Sequence, residues 1–337
     1  MANLKTKYLG IELKNPIIAG ASNLVSNPDN LKKLEDAGAA AIVYKSLFEE
    51  QIQLERLELD EDLAEYKERN AEMVTLFPDL DTAGPTEHLM NLKKAKESVS
   101  IPVIASLNCL FNQTWIEYAK LIEETGVDAL ELNFYYVPRE ANAEGKDIVD
   151  QQVEILKIVK KAVKIPVSVK LSSFYANPIN VIKRLDQAGA DAFVIFNRFL
   201  QPDINLNDET FVNHFSVSSI EDSLLSLRFA GLLYANINAS ICCSSGIYQG
   251  EDVVKMILAG ADCVQVVSTL YKNKITHLEK MLKDISDWMD LKNYKSLEEF
   301  KGKLSQKRVN NPFIYKRAQY IDILAKSGEI FKKFLAR

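Results

Sequence analysis

The sequence predicts a (β/α)8 barrel, because eight short apolar runs alternate along it with amphipathic helical segments. Runs of this kind are typical of parallel strands that are buried on both faces and joined by crossover helices. The predicted strands are residues 16–19, 40–44, 101–105, 129–132, 165–169, 192–195, 239–242 and 263–266.

A repeated phrase supports the barrel. Gly38, Gly126, Gly189 and Gly260 each lie beside small residues just before a predicted strand, and an aspartate follows the last three. Glycine in the left-handed conformation can end a helix where the chain returns to the sheet. A doubly wound sheet would show similar phrases, but it usually has fewer strands, and no GxGxxG phrase follows the first strand here.

Two stretches exceed a minimal barrel. Residues 49–69 form a highly charged insertion after the second strand, and residues 291–337 form a helical C-terminal extension. We expect both to be solvated or to face another subunit. Since no Pro/Gly linker divides the chain, we predict one domain over residues 1–337, with a barrel core of about residues 9–290.

The composition excludes several functional classes. The net charge is −5, and basic and acidic residues are interleaved, which argues against a nucleic-acid-binding surface. No apolar run reaches the ~18 to 20 residues that span a bilayer, so we expect a cytoplasmic protein. Cys109, Cys242, Cys243 and Cys263 lack the spacing of metal ligands, and we expect reduced, packed thiols without zinc.

Polar residues at the ends of the predicted strands indicate where the chemistry lies, because barrels build their sites at the carboxyl ends of their strands. Lys45 and Lys170 each end an apolar strand, and Asn133 and Asn197 end two more. A cup of two lysines and two amides at one end of the barrel suits a heteroaromatic ring that gains negative charge, as a reduced flavin does. The alternative is that the lysines pair with carboxylates at the strand ends.

The last two strand ends suit a phosphate. Ser244, Ser245 and Gly246 follow the seventh strand, and Val267 and Ser268 follow the eighth. Barrels commonly bind phosphate between these two loops. A phosphate site and a ring cup on one face together point to FMN, with a phosphorylated sugar substrate as the competing ligand.

Several phrases of the chain also resemble the dihydroorotate dehydrogenase family, in order and at family spacing, from about residue 9 to residue 272. They are residues 15–22, 38–46, 101–105, 131–133, 166–171, 223–228 and 245–252. The resemblance implies a barrel flavoprotein that oxidises dihydroorotate to orotate in pyrimidine biosynthesis. The chain looks like the cytosolic class, because it shows no N-terminal membrane-associating helix.

The resemblance also implies site residues. Asn197 falls where the family places an amide against the substrate, and Arg198 follows it; with Lys45 and Asn133 they make the expected substrate site. The expected cofactor residues are Ala19, Gly20, Lys45, Ser46, Ser106, Asn133, Lys170, Ser245, Gly246, Val267 and Ser268.

Three departures from the family pattern concern the substrate. Tyr136 occupies the position of the family's Cys or Ser base, and a phenol with a pKa of about 10 is a poor base at neutral pH unless a cation lowers that value. The family's substrate loop has no counterpart between residues 49 and 85, and Arg198 replaces a small hydroxyl residue. Cys109 is a second candidate base, which Lys45 or Lys170 could activate. The predicted catalytic group is therefore Tyr136, Lys45, Lys170 and Cys109.

Three functions remain open at this stage. The first is FMN-dependent oxidation of dihydroorotate with a replaced base, and the second is FMN chemistry on another small anionic or enone-like compound. The third is a flavin-binding or interaction protein without catalysis. We expect a homodimer. The electron acceptor could be fumarate, oxygen or NAD. Electron transfer to NAD would need an iron–sulfur partner subunit, because the chain has no cysteine pattern for a cluster of its own.

Overall fold

A computed structural model describes residues 2–54, 84–137, 141–212 and 217–326, together with Gly328 and Lys332. Eight parallel strands close into a barrel of the TIM type, since the pairing order runs through β4-β3-β13-β12-β9-β8-β7-β6 and β6 pairs back with β4. In chain order the strands are β1 (Thr6–Tyr8), β2 (Ile11–Leu13), β3 (Ile17–Ala19), β4 (Ala41–Val43), β5 (Leu47–Phe48), β6 (Val103–Asn108), β7 (Ala129–Phe134), β8 (Val167–Ser172), β9 (Ala192–Asn197), β10 (Asp203–Asn205), β11 (Thr210–Val212), β12 (Ser240–Ser244) and β13 (Cys263–Val266).

Helices follow the barrel strands and cover their outer faces. Leu132 and Val169, for example, point outward and join one core cluster with Leu156 and Ile182 of the surrounding helices. The α-helices are α1 (Pro28–Asp36), α2 (Pro85–Ser98), α3 (Asn112–Glu124), α4 (Gly145–Ala162), α5 (Pro178–Gln187), α6 (Ser223–Leu233), α7 (Gly250–Ala259), α8 (Ser268–Asn273), α9 (His277–Leu291) and α10 (Ala318–Ala325). Single turns of 3-10 helix lie at Asn23–Ser26, Ile220–Asp222, Leu297–Glu299 and Pro312–Tyr315.

All eight strands predicted from the apolar runs are present, and the predicted (β/α)8 fold is confirmed. The antiparallel hairpin of β10 and β11, which follows β9, was not predicted.

The aspartates of the repeated phrase have a structural role at the amino ends of the strands. Asp128 accepts hydrogen bonds from the Val103 amide at 2.7 Å and from Lys96 Nζ at 2.6 Å. In the same way Asp191 accepts from the Val167 amide and from a lysine of α4, and Asp262 accepts from the Ile241 amide and from Lys301. Each carboxylate therefore satisfies an N–H at the start of the preceding strand, which would otherwise be buried without a partner.

A hairpin closes the amino end of the barrel. Tyr8, Leu9 and Leu13, from β1, β2 and the turn between them, are buried against inward-facing side chains such as Ile104 and Cys242. Thr6 Oγ1 also donates to the carbonyl of Asp262 at 2.8 Å. The half of the barrel lumen nearer the amino ends of the strands is thus apolar, and polar side chains fill the half nearer the carboxyl ends.

The start of the charged insertion is packed rather than solvated, in contrast to our expectation. Glu49 is 1% exposed, accepts from the Leu110 amide at 3.2 Å and from Thr114 Oγ1 at 3.1 Å, and so is tied to α3 and the loop before it. Residues 55–83, the rest of the insertion, lie outside the described residues.

The first part of the C-terminal extension also packs against the barrel. Residues 294–309, here called the C-terminal strap, contain the fully buried Phe300. The Gly302 amide donates to the carbonyl of Ile257, and the Gln306 amide donates to that of Gly231. The strap therefore joins the ends of α6 and α7 by backbone hydrogen bonds.

Among the described residues, no helix has both the length and the apolar character that a membrane span requires. The same part of the chain contains no cluster of side chains suited to a metal ion. All four cysteines are buried, as predicted for packed thiols. Burial raises the pKa of the Cys243 and Cys263 thiols well above the usual value, so these two remain protonated at neutral pH.

Glu35 at the end of α1 provides a test of how such carboxylates stabilise the fold. Burial disfavours its charge, but hydrogen bonds from Lys32 and from the amide and hydroxyl of Ser100 outweigh this effect and lower the pKa of Glu35 to about 2. Because the pKa of Glu35 in the unfolded chain is higher, its stabilising effect is present above pH 4.5 and is lost as the pH falls toward 2.

We expect Glu35→Gln to lower the free energy of unfolding at pH 7 by about 1–2 kcal/mol, since a charge-assisted hydrogen bond becomes a neutral one. The difference from the parent should shrink below pH 4.5. Urea unfolding of both proteins from pH 7 to pH 3 measures it, and a difference that does not change with pH would contradict this role.

Candidate active site

A polar cluster crosses the lumen of the barrel. Gln265 Nε2 donates to Glu131 Oε2 at 2.6 Å, and Lys170 Nζ donates to Gln265 Oε1 at 3.3 Å. Lys170 Nζ also lies 3.7 Å from Glu131 Oε1 in an ion pair. Because β13 and β7 are not neighbours in the sheet, these side chains must meet inside the barrel. Glu131 is fully buried and Lys170 is 8% exposed. The cluster therefore fixes the lysine just below the mouth, which is the open end of the barrel at the carboxyl ends of the strands.

The strand-end amides form a second layer above this cluster. Asn197 Nδ2 donates to Asn133 Oδ1 at 2.8 Å, and Asn108 Nδ2 donates to the carbonyl of Asn133 at the same distance. The Ser46 and Ser106 hydroxyls lie 2.7 Å apart at the ends of β4 and β6. The structure therefore brings together five predicted site residues, Lys170, Asn133, Asn197, Ser46 and Ser106, at the carboxyl end of the barrel.

A serine-lined cavity opens beyond β12 and β13. Ser245 and Gly246 both have positive φ, 73° and 71°, and the Gly246 amide donates to Ser218 Oγ at 3.0 Å. Ser218 Oγ lies 2.7 Å from Ser268 Oγ. This cavity, the β12–β13 cavity, measures 210 Å³ and is lined by Ala21, Lys170, Asn197, Arg198, Ser218, Ser244, Ser245, Gly246, Gln265, Val267, Ser268 and Tyr271, among others.

The β12–β13 cavity is lined by serine hydroxyls and backbone N–H groups, which are donor types that bind phosphate. The Gly246 amide and the Ser218 and Ser268 hydroxyls bond to one another, so a bound phosphate would replace these contacts. A Cβ at Gly246 would lie 2.5 Å from the carbonyl oxygen of Ser219, so only glycine fits this turn. Ser268 is the first residue of α8, whereas α7 begins only at Gly250, four residues beyond Gly246.

The end of β3 lies against the same cavity. The Gly20 amide donates to the carbonyl of Val266 at 3.0 Å, and a Cβ at Gly20 would lie 2.8 Å from Val267 Cγ2. Ala19 is fully buried on the outer face of the strand. Ser22 Oγ is buried and has no hydrogen-bond partner among the described residues, so it is an unsatisfied group beside the mouth. Together with Ser244, Ser245 and Gly246, here called the serine loop, this arrangement fits a phosphorylated planar ligand.

Lys45 lies on the opposite side of the mouth. With Phe48, Gln51, Asn108 and Tyr135 it lines a cavity of 410 Å³, here called the β4–β7 cavity. Burial lowers the pKa of the nearby His88 to about 4, and the Lys45 ammonium acts in the same direction. His88 is therefore neutral at pH 7.

Tyr136 and Cys109 lie on the outer flank of β7. Both line a cavity of 370 Å³ next to α3 and α4, and Tyr136 also lines a cavity of 380 Å³ next to α4 and α5. Cys109 is 7% exposed, whereas Tyr136 is 44% exposed. We call these two spaces the flank cavities.

Arg198 lies at the rim of the β12–β13 cavity, where its Nε is 3.8 Å from Asp222 Oδ2. It thus faces the expected substrate region while sharing its charge with an acidic neighbour. The pairing of lysines with carboxylates, which the sequence left open, does occur at Lys170.

Four residues of the site were not given a role from the sequence. Glu131 and Gln265 interrupt apolar strands, and this was the available signal, because an inward polar residue in a buried strand needs a partner. Ser218 lies in a long connection without a motif. Tyr135 has no sequence signal, because the family's base position falls on its neighbour Tyr136.

The fold and the site together define a (β/α)8 barrel with a lysine in its polar lumen and a serine-lined cavity at the carboxyl ends of its strands. The sequence profile of dihydroorotate dehydrogenase matches residues 79–289. This match covers more than half of the chain, and the chain belongs to the dihydroorotate dehydrogenase family.

Individual relatives agree with this assignment. The chain is 28% identical over 311 residues to the catalytic subunit of dihydroorotate dehydrogenase B (NAD(+)) of Methanocaldococcus jannaschii, covering 89% of this chain and 97% of that protein. It is 28% identical over 308 residues to the protein of the same name in Thermoplasma volcanium, covering 90% and 98%. It is 24% identical over 323 residues to the NAD-dependent dihydropyrimidine dehydrogenase subunit PreA of Escherichia coli (strain K12), covering 89% and 76%. These relatives are dehydrogenases, which supports an oxidoreductase.

The cross-lumen cluster makes a stability prediction. In Lys170→Met, the fully buried Glu131 carboxylate loses its cation, so we expect the free energy of unfolding to fall by about 3–5 kcal/mol. In the double variant Glu131→Gln, Lys170→Met, no buried charge is left over, and most of this loss should be recovered. Denaturant unfolding of the three proteins at pH 7 measures both effects. A single variant as stable as the parent would show that the pair is not coupled.

Proposed function

We propose that the chain is an FMN-dependent oxidoreductase that oxidises dihydroorotate to orotate in pyrimidine biosynthesis. The observation that carries the proposal is the position of Lys170, which Glu131 and Gln265 hold at the floor of a cavity whose far side is the serine loop. A cation at one end and phosphate donors at the other fit a flavin mononucleotide. Bound FMN would accept a hydride from a ring carbon of the substrate.

The proposed cofactor residues divide into two groups. Ser245, Gly246 and Ser268, with the additional Ser218, would hold the phosphate. The ring would lie against the end of β3 and next to Lys170, whose ammonium favours negative charge on the ring. The remaining proposed cofactor residues are Ala19, Gly20, Lys45, Ser46, Ser106, Asn133 and Val267.

The proposed substrate residues are Lys45, Asn133, Asn197 and Arg198. Lys45 and Arg198 could pair with an anionic substituent, and the two amides could bind the polar edge of a ring. For the acid–base group, the sequence positions of the family suggest Tyr136, with Cys109 as the second candidate.

We also propose that the electrons leave through a partner. Two relatives are named catalytic subunits of an NAD(+)-dependent enzyme, and another is named a subunit of an NAD-dependent enzyme. A homodimer and a single domain over residues 1–337 are parts of the same proposal.

A second candidate function is FMN-dependent chemistry on a different small anionic or enone-like compound. The observation that favours it is Arg198, a long cation at the rim where the family pattern has a small hydroxyl residue.

We expect the protein to purify yellow or to become yellow after reconstitution with FMN, with absorbance bands near ~370 and ~450 nm. Anaerobic dihydroorotate should then bleach the longer-wavelength band. The control variant is Gly246→Ala, which disturbs the phosphate turn far from the ring and should retain much less FMN while staying folded. If the parent holds no flavin, the proposal fails; if it holds flavin that dihydroorotate does not reduce, the second candidate takes its place.

The lysine makes a separate prediction about the bound flavin. The double variant Glu131→Gln, Lys170→Met should have a lower flavin reduction potential than Glu131→Gln alone, because the ammonium stabilises the reduced anionic ring more than the oxidised neutral one. Anaerobic reductive titration against a reference dye compares the two. Equal potentials would mean that Lys170 serves only to satisfy Glu131.

A further inference from the structure

We infer that Tyr135, rather than Tyr136, is the residue that exchanges a proton with the substrate carbon. This inference rests on the proposed function, since it assigns a residue of the same site. It starts from the direction of the chain at the end of β7.

Side chains alternate along β7. Glu131 and Asn133 lie inside the barrel, where they contact Gln265 and Asn197, while Leu132 and Phe134 join the outer core. Beyond the strand the chain turns, with the Tyr135 amide donating to the carbonyl of Asn133 at 2.8 Å. Both tyrosines line the 370 Å³ flank cavity, but Tyr135 also lines the β4–β7 cavity with Lys45 and Asn108, whereas Tyr136 also lines the other flank cavity.

The Tyr135 ring is held at the rim of the mouth. It packs against Phe199 with ring centroids 4.6 Å apart, and Phe199 stacks on Phe174 at 5.1 Å. Phe199 follows β9, so the ring of Tyr135 reaches past β8 toward the next strand end. The amide pair of Asn133 and Asn197, the proposed substrate contact, joins the ends of the same two strands.

The hydroxyl of Tyr135 has a fixed environment. Its oxygen accepts a hydrogen bond from the Leu200 amide at 3.2 Å. Since this contact uses an oxygen lone pair, the hydroxyl hydrogen is not engaged by it and can point into the mouth. Lys45 lines the same cavity and adds positive charge to that side of the mouth.

The Tyr135 O–H is therefore placed to donate a proton to a substrate in the mouth. In the donating direction, the O–H bond of Tyr135 breaks and a C–H bond forms on one carbon of an electron-poor C=C bond. The hydride for the other carbon would come from reduced FMN, which a pyridine nucleotide would reduce through the partner. Water then returns a proton to the tyrosine oxygen. In dihydroorotate oxidation the same transfers run in reverse.

The first test compares Tyr135→Phe with Tyr136→Phe, which both keep the ring and remove only the hydroxyl. We expect Tyr135→Phe to lose about 10² to 10⁴ in turnover at unchanged FMN content and melting temperature, a clearly larger loss than that of Tyr136→Phe.

A second measurement does not depend on turnover. Tetranitromethane nitrates accessible tyrosines, and each single variant leaves only the other tyrosine of the pair to be read by mass spectrometry. We expect FMN to protect Tyr135 in the Tyr136→Phe protein and to leave Tyr136 unprotected in the Tyr135→Phe protein.

These outcomes separate the two proposals. Protection of Tyr136 instead of Tyr135, or loss of turnover in Tyr136→Phe alone, would overturn the inference while leaving the flavin function standing. If no variant or parent reacts with dihydroorotate or orotate, the proposed substrate is wrong, and the nitration result still decides which tyrosine faces the flavin.

Discussion

The salt bridge between Lys170 and Glu131, completed by Gln265, is the interaction on which the site depends. A charged pair within the barrel is expensive to bury, and it is stable only when hydrogen bonds satisfy its remaining polar atoms. Gln265 serves part of this purpose by donating to Glu131 Oε2 and accepting from the ammonium. Glu131 Oε1 has only the 3.7 Å ion-pair contact with Lys170 and no hydrogen bond among the described residues. The cluster joins two neighbouring strands to one across the lumen, so it fixes both the height and the direction of the lysine. Any ligand over the mouth therefore meets a positive charge with little freedom to move.

The chemistry is divided between the two ends of the barrel. At the amino ends, Asp128, Asp191 and Asp262 use their charge to satisfy strand amides, and the hairpin fills the lumen with apolar side chains. At the carboxyl ends, amides, serines and lysines line cavities. The family assignment and the geometry agree on the half that would hold a cofactor. The half that would hold the substrate differs from the family pattern in several residues, which is why the proposals for the substrate and the acid–base group concern Arg198 and the two tyrosines.

The barrel and the positions of Lys45, Lys170, Asn133 and Asn197 could be predicted, because buried parallel strands read as apolar runs and their carboxyl ends share one face. The partners of Lys170 could not be predicted, since Glu131 and Gln265 are 134 positions apart in the chain. Nothing in a local pattern pairs two such residues. The direction of Tyr135 and Tyr136 depends on how the chain leaves β7, where the Tyr135 amide turns back to the carbonyl of Asn133. Ser218 could not be predicted either, because its partners Ser268 and Gly246 lie 50 and 28 positions away in the chain.

The C-terminal strap has a mechanical consequence. Its backbone is bonded to α6 through Gly231 and to α7 through Ile257 and Leu258, and these helices flank β12, whose end carries the serine loop. Sliding of either helix along the barrel would break hydrogen bonds to the strap, so the strap restrains both helices at their ends away from the mouth. We therefore expect the serine loop between them to have the same shape before and after a ligand binds. Binding then requires little ordering of the chain, and more of the contact energy remains available as affinity.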